Sequence, residues 1–286
     1  MGGASGGEPV QTEKYVLPDL QADFNGDGCA DLAVGAPWGT AFEAGAVHIS
    51  YGSAQDRGLF SDGQIWYENS PGMLSPATDR SRFGFALAAA DFDGDALSDL
   101  AIGAPGKTID GQSLAGEVIF VYGSGGGLFS ERAEGFTLNS PGVVGSAHDH
   151  DHFGEALSAG DFDGDGHFDR LAGAEGWNNL SGAVFVLYGS ADGISGSGSQ
   201  GFQPSSDAPN ALVREGDRLG EAVTTGDCDG DGYWDLIAGL PGKDPSGAML
   251  IIPESKQGLD ADRFQLPIAL KIGFDSPSSQ FGLAVR

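Results

Sequence analysis

Four copies of one acidic loop divide this chain. The first reads Asp23-Phe24-Asn25-Gly26-Asp27-Gly28-Cys29-Ala30-Asp31 and runs into Leu32-Ala33-Val34-Gly35-Ala36-Pro37. The second reads Asp91-Phe92-Asp93-Gly94-Asp95-Ala96-Leu97-Ser98-Asp99 and runs into Leu100-Ala101-Ile102-Gly103-Ala104-Pro105. The third loop spans Asp161 to Asp169 and the fourth Asp227 to Asp235, so the period is close to seventy residues. A fixed period of that size constrains the fold strongly. Each unit must be one supersecondary module that buries its faces against its neighbours.

The rest of each unit reads as strands. Eight residues before the last three loops stand Phe83-Gly84, Phe153-Gly154 and Leu219-Gly220. From there to the loop the chain alternates small and apolar residues, as in Phe85 to Ala90, which predicts a closely packed first strand. A second strand follows the loop, as in Leu100 to Ala104, and Pro105 stops it. A third opens on Gly: Gly45 to Tyr51, Gly116 to Tyr122, Gly182 to Tyr188 and Gly247 to Ile252, the first three ending in Tyr-Gly-Ser. A weaker fourth is expected around Gln64 to Tyr67 and Gly135 to Leu138. No long window carries a helical apolar stripe. Four short antiparallel strands per repeat define an all-β fold, a β-propeller.

The Phe-Gly pair, the Asp-x-Asp-x-Asp-Gly-x-x-Asp loop and the Gly-Ala-Pro after it resemble the FG-GAP repeat, the blade of integrin α-subunit propellers. The resemblance runs from about Tyr15 to Arg286 and implies a propeller with calcium held in blade loops. It does not imply integrin function, since the same blade occurs in bacterial surface proteins and as an accessory module of lipases and polysaccharide-active enzymes. Integrin-like rings have seven blades. This chain has four full repeats, with blades expected at about 13–80, 81–150, 151–216 and 217–278. Phe281-Gly282-Leu283-Ala284-Val285 reads as the first strand of a fifth, at 279–286. In the first blade, Tyr15 to Leu20 stands where Phe-Gly should be, and Pro18 is poor inside a central strand. Either the chain is part of a larger ring, the favoured expectation, or its C-terminal strand completes the first blade and closes a small ring. Residues 1–12 read as a disordered start or an artificial junction, and the Gly/Ser run Ser195 to Ser199 as a flexible loop.

Calcium takes six to eight oxygens in a flexible shell, and a nine-residue loop offers them at alternate positions. Carboxylates are expected from Asp91, Asp93, Asp95 and Asp99, with the Leu97 carbonyl. The sister sets are Asp23, Asn25, Asp27, Asp31 with Cys29; Asp161, Asp163, Asp165, Asp169 with His167; and Asp227, Asp229, Asp231, Asp235 with Tyr233. The cofactor expected is therefore Ca²⁺, about four ions. Gly at loop position six permits the sharp turn, and Ala96 there predicts a strained, weaker second site. The alternative is a metal-free Asx-turn hairpin, which four copies of mutually repelling acids disfavour. Magnesium, which demands a rigid octahedron, is also disfavoured. The aromatic at position two (Phe24, Phe92, Phe162) is expected in the core.

Fourteen basic against 41 acidic residues leave a net charge of −27. That excludes nucleic acid and anionic membranes as electrostatic partners. Unneutralised, the loops would repel themselves, so metal should stabilise the fold. No run of eighteen apolar residues and no signal peptide is present in this chain. An extracellular or cell-surface location is expected, because calcium there is abundant enough to fill weak sites. Cys29 and Cys228 sit at different loop positions and are not expected to pair. His148-Asp149-His150-Asp151-His152 could be written as a zinc site, but the equally polar sister loops lack His, so a solvated connection is expected. Asn179-Leu180-Ser181 matches a glycan acceptor by one short motif. No catalytic motif appears, which leans against an enzyme. The expected function is a calcium-binding adhesion or ligand-binding module for a protein or carbohydrate partner. The alternative is an accessory propeller of a secreted glycan- or phospholipid-active hydrolase. Specificity is expected in the irregular connections Trp38 to Glu43, Lys107 to Leu114 and Trp177 to Leu180, with Trp38 and Trp177 as ligand contacts.

Overall fold

The computed structural model describes residues 22–39, 43–54, 63–73, 76–203, 213–243, 247–255 and 258–259. Tyr15 to Leu20, Phe281 to Val285 and the start at 1–12 lie outside the described residues. Within them the chain is a series of antiparallel meanders. The first blade holds β1 (Leu32–Ala36), β2 (Ala46–Ser50) and β3 (Gly63–Trp66); the second, β4 (Leu87–Ala90), β5 (Asp99–Ala104), β6 (Glu117–Tyr122) and β7 (Phe129–Phe136). The third holds β8 (Leu157–Gly160), β9 (Asp169–Ala174), β10 (Ala183–Tyr188) and β11 (Ser195–Phe202). The fourth holds β12 (Val223–Gly226), β13 (Asp235–Leu240) and β14 (Ala248–Ile252), followed by a small hairpin of β15 (Glu254–Ser255) and β16 (Gly258–Leu259). Strand order within each blade follows the sequence. The inner strands β4, β8 and β12 neighbour one another, which is the propeller arrangement.

The repeated motifs are explained by how blades join. The Phe83 N–H donates to the Ala44 carbonyl of the preceding blade at 2.9 Å, and the Gly84 N–H to the Gly103 carbonyl of its own blade at 3.0 Å. Phe153-Gly154 and Leu219-Gly220 repeat both bonds. The Gly before Ala-Pro is required by close approach. A Cβ on Gly35, Gly103 or Gly173 would lie within about 2 Å of the carbonyl oxygen of Gly84, Gly154 or Gly220 in the next blade. Phe-Gly and Gly-Ala-Pro are therefore two halves of one inter-blade joint.

Burial follows from the same stacking. All six residues of β5, β6 and β9 are buried, because a blade covers each face. Phe24, Phe92 and Phe162 are fully buried between successive blades, as expected. Cys228, in the same loop place of the fourth blade, is exposed, and both cysteines are free. At the other end, Leu32 and Val34 of β1 are exposed, whereas the corresponding Leu100 and Ile102 are buried against the first blade.

Three readings need correction. Ser195 to Ser199 is not a flexible loop but the start of β11, paired to β10 with Tyr188 opposite Ser195. Gly196 serves packing, since a Cβ there would come within 2.7 Å of the Pro141 carbonyl oxygen of the neighbouring blade, whereas Gly198 faces open space with φ +81°. The fourth strand of the second blade starts earlier than expected, at Phe129. The first strands are shorter than the apolar run, since Phe85 N–H bonds the Arg82 carbonyl in a turn before β4 begins.

Arg170 was not anticipated. It stands where the sister strands have Leu32, Leu100 and Leu236, and it is fully buried. Its Nη1 donates to the Ser158 carbonyl at 2.8 Å and its Nη2 to the Ala88 carbonyl at 3.0 Å, and the guanidinium lies 4.6 Å above the Phe92 ring. Polar bonds to two inner strands and an aromatic face offset part of its desolvation.

Candidate metal centres

The second, third and fourth acidic loops each join the first two strands of a blade; Ala90 opposes Asp99, Gly160 opposes Asp169 and Gly226 opposes Asp235 across the closing pair. The acids first build the turn itself. The carboxylate at position one accepts the N–H of position four at 2.6–2.7 Å and of position six at 2.8–3.1 Å in every copy. The Asp at position five accepts the N–H of residue seven at 2.8–3.0 Å. At position nine Asp31, Asp99 and Asp169 accept two backbone N–H groups each, one from loop position two and one from the Gly of Tyr-Gly-Ser. Asp235 accepts the first of these from Cys228 at 2.7 Å. Position nine therefore pins the loop to the end of the third strand.

The turn also crowds charge. In loops two, three and four the carboxylates at positions one, three and nine offer one oxygen each within 4.8 Å of the others: Asp91, Asp93, Asp99; Asp161, Asp163, Asp169; and Asp227, Asp229, Asp235. Asp95, Asp165 and Asp231, also expected as ligands, lie outside these groups. In the first loop Asn25 takes position three, and no such group of three is found among the described residues there. Burial, then the neighbouring acids, pushes the Asp99 carboxyl up to about 7 and that of Asp169 up to about 8, despite their two backbone donors. Burial, then Asp165, also raises Asp163. A divalent cation with oxygen ligands relieves both penalties, so the donor sets fit calcium.

Two features set the second loop apart. Ala96 has φ +71°, where Gly28, Gly166 and Gly232 have φ of +80°, +92° and +93°. A Cβ at those three glycines would meet nothing, so Ala96 is strained by its backbone angle alone. In addition the Arg132 guanidinium reaches Asp93 Oδ2 at 2.8 Å while lying 4.7 Å over the Tyr122 ring. Arg132 competes for an oxygen an ion would use, and no motif announced it. Replacing Ala96 by Gly should stabilise the protein by about 0.5–1 kcal/mol, because left-handed φ costs an L-residue about 1–2 kcal/mol and glycine gives part of that back in entropy. The check is a denaturant midpoint with unchanged slope; an unchanged or lower midpoint would contradict it.

Neighbouring loops touch in order around the propeller. A Cβ on Gly26, Gly94 or Gly164 would meet Leu97, His167 or Tyr233, the position-seven side chain of the next loop, at 2.7–3.0 Å. Gly230 meets nothing. The antiparallel register puts these loops at one end of the blades and the connections after β1, β5 and β9 at the other. Trp38 lies at that other end, exposed, with the Arg82 guanidinium 4.8 Å over its ring and Phe85 edge-on at 6.4 Å. Trp177 is half-buried against Phe185 at 5.6 Å and His148 at 5.5 Å, so much of it is packing surface. The three His of 148–152 diverge in role: His148 lies edge-on to Trp177, His150 lies edge-on to His152 at 6.1 Å, and His152 Nδ1 pairs with Glu175 Oε1 at 3.0 Å. Asn179 is exposed in a short turn with left-handed φ.

The FG-GAP repeat family matches residues 20–50, 83–120 and 153–187. The chain is 37% identical over 174 residues to phosphatidylinositol-glycan-specific phospholipase D of Rattus norvegicus, covering 58% of this chain and 20% of that protein. It is 31% identical over 232 residues to integrin alpha-5 of Xenopus laevis, covering 78% and 19%. It is 34% identical over 160 residues to integrin alpha-4 of Xenopus laevis, covering 56% and 14%. The chain thus spans about a fifth or less of the length of these relatives. It is an FG-GAP repeat protein, an integrin-like β-propeller.

Proposed function

We infer that this chain is an extracellular, calcium-dependent propeller that presents the face opposite its acidic loops to a protein or carbohydrate ligand. The observation that carries the reading is the division of labour along each blade. One end is committed to the repeated acidic loops, and the other carries irregular connections and the exposed Trp38. Calcium in the loops would lock the blade ends, leaving the opposite connections as a rigidly supported, variable surface. The strong negative charge disfavours nucleic acid, and no helix among the described residues is long and apolar enough to cross a membrane. Among the described residues, Leu32 and Val34 are exposed on the first blade and Cys228 and Gly230 are open on the fourth; further blades of a larger ring, or the closing segments 15–20 and 281–285, would cover them.

A second reading is favoured by the match to phosphatidylinositol-glycan-specific phospholipase D. Because the alignment spans only a fifth of that protein, this chain would correspond to an accessory propeller beside a hydrolase. The experiment is binding of the purified chain to panels of extracellular-matrix proteins and of glycans, with and without chelator, for the native chain and Trp38→Ala. Binding that requires calcium and weakens at least tenfold in the variant supports the first reading. Binding indifferent to both overturns the assigned face. Hydrolysis of a phospholipid or glycan by the purified chain, lost on a point mutation outside the loops, overturns the non-catalytic assignment.

A further inference from the structure

At the end of the blades away from the acidic loops, charged side chains from three blades meet beside the inner strands. Glu155 follows Phe153-Gly154 and Glu221 follows Leu219-Gly220, so both lead into inner strands, β8 and β12. Glu175 replaces the proline of Gly-Ala-Pro in the third blade. His152 Nδ1 lies 3.0 Å from Glu175 Oε1, Arg218 Nε lies 2.9 Å from Glu175 Oε2, and the same Nε lies 3.1 Å from Glu221 Oε2. This chain of ion pairs ties the third blade to the fourth. Arg82, from the second blade, faces Glu155 across the joint.

The network leaves four shut-off atoms without a hydrogen bond. Glu155 Oε2, His152 Nε2 and Arg82 Nε have no hydrogen-bond partner, and Glu221 Oε2 has the Arg218 ion pair but no hydrogen bond. Glu175, by contrast, has both oxygens bonded, and against the cost of burial its bonds to His152 and Arg218 hold it below the ordinary carboxylate range. The charged groups around Glu155 are His152 on its own segment, Arg82, Glu175 and Glu221. Two are carboxylates, and the Arg218 cation is already shared between them. A half-buried carboxylate with one oxygen shut off from water and from any donor, beside two others, is a poor anion.

We propose that Glu155 is a proton switch: it holds a proton in the folded protein in mild acid, and losing that proton as the pH rises loosens the joint between the second, third and fourth blades. Burial followed by charge from Glu175 and Glu221, only partly offset by His152 and Arg82, pushes its carboxyl from 4.5 up to about 7. A folded-state value above the unfolded one means that the folded form binds the proton more tightly. The stabilisation is complete below about 4.5 and is lost as pH rises through about 7.

The test is thermal unfolding of the native chain and of Glu155→Gln between about pH 5 and about pH 9, in millimolar calcium so that the acidic loops stay filled. The expected result is a difference in melting temperature that moves in favour of the Gln variant by several degrees as pH rises. A difference independent of pH overturns the proposal. Glu221→Gln provides a second arm: removing one neighbouring carboxylate should shift the pH midpoint of the native transition downward, and an unmoved midpoint overturns it. Carbon-detected NMR of the Glu155 carboxyl reads the proton directly, whatever the variants do to folding. Titration near the ordinary glutamate value would also overturn the proposal.

Discussion

Removing divalent cations is expected to lower the melting temperature by more than about 10 °C, the largest change in conditions that this fold should feel. The bare loops hold three carboxylate oxygens within 4.8 Å at three places, each with one buried position-nine acid: Asp99, Asp169 or Asp235. An ion bound a hundredfold above its dissociation constant stabilises the folded state by about 2.7 kcal/mol, and independent sites add. At roughly 2–4 °C per kcal/mol, two filled loops already account for the shift. Two variants separate metal binding from turn building. Asp163 accepts only a 3.2 Å bond from the Asp165 N–H, so Asp163→Ala should lower stability in calcium and change little in chelator. Asp169 accepts the Phe162 and Gly189 N–H groups at 2.6 and 2.8 Å, so Asp169→Ala should destabilise in both conditions. Equal melting curves with chelator and with millimolar calcium would refute the metal reading of the loops. Equal losses for the two variants in calcium and in chelator would reduce the acids to turn formers.

The same loops show what a sequence can and cannot disclose. The blade pattern was legible because strand alternation, Gly-opened third strands and the acidic loop recur in one order, and each is a local signal. The partners of those signals are not local. The glycine at loop position four has left-handed φ in every copy, and in three copies it also makes room for Leu97, His167 or Tyr233 arriving from the next loop. The glycine before Ala-Pro is explained only by the next blade's Phe-Gly backbone. Ser195 to Ser199 has the composition of a linker, yet it lies within β11: Ser195 pairs with Tyr188, the chain bulges before pairing resumes at Gln200, and the Gly142 turn packs on Gly196. Of the expected ligands, positions one, three and nine converge in three loops, and position five is turned to the backbone. Arg132 and Arg170 were missed because an arginine in a strand carries no sign of whether it meets solvent, a carboxylate or an aromatic face. Of the two tryptophans expected at a ligand face, Trp38 is exposed, while Trp177 is largely committed to Phe185.

Replacing Lys107 by Ala is expected to cost about 3–5 kcal/mol, enough to lower the melting temperature by roughly 10 °C. Lys107 takes the second place after Pro105, and its ammonium is buried at the junction of the first two blades. It lies 3.2 Å from Glu68 Oε1 and 3.7 Å from Glu117 Oε2, and it also donates to the Pro76 carbonyl. Both carboxylates are as deeply buried as the lysine. Glu68 is further held by the Ser81 hydroxyl at 2.6 Å and the Thr78 N–H at 3.2 Å, yet burial still raises its pKa against the pull of Lys107. Without the ammonium, two acids remain shut in with no cation between them, and that uncompensated charge outweighs the lost packing of the side chain. Lys107→Met, which keeps the volume, should therefore be nearly as harmful as Lys107→Ala, and adding Glu68→Gln should restore part of the loss. The pH dependence gives an independent check. With the lysine gone, Glu68 rises further above its unfolded value, so its contribution is intact in acid and lost as pH increases. The variant should then approach the native chain near pH 5 and fall behind it above neutrality. A methionine variant as stable as the native chain at every pH would show that this buried triad contributes no net stability to the blade junction.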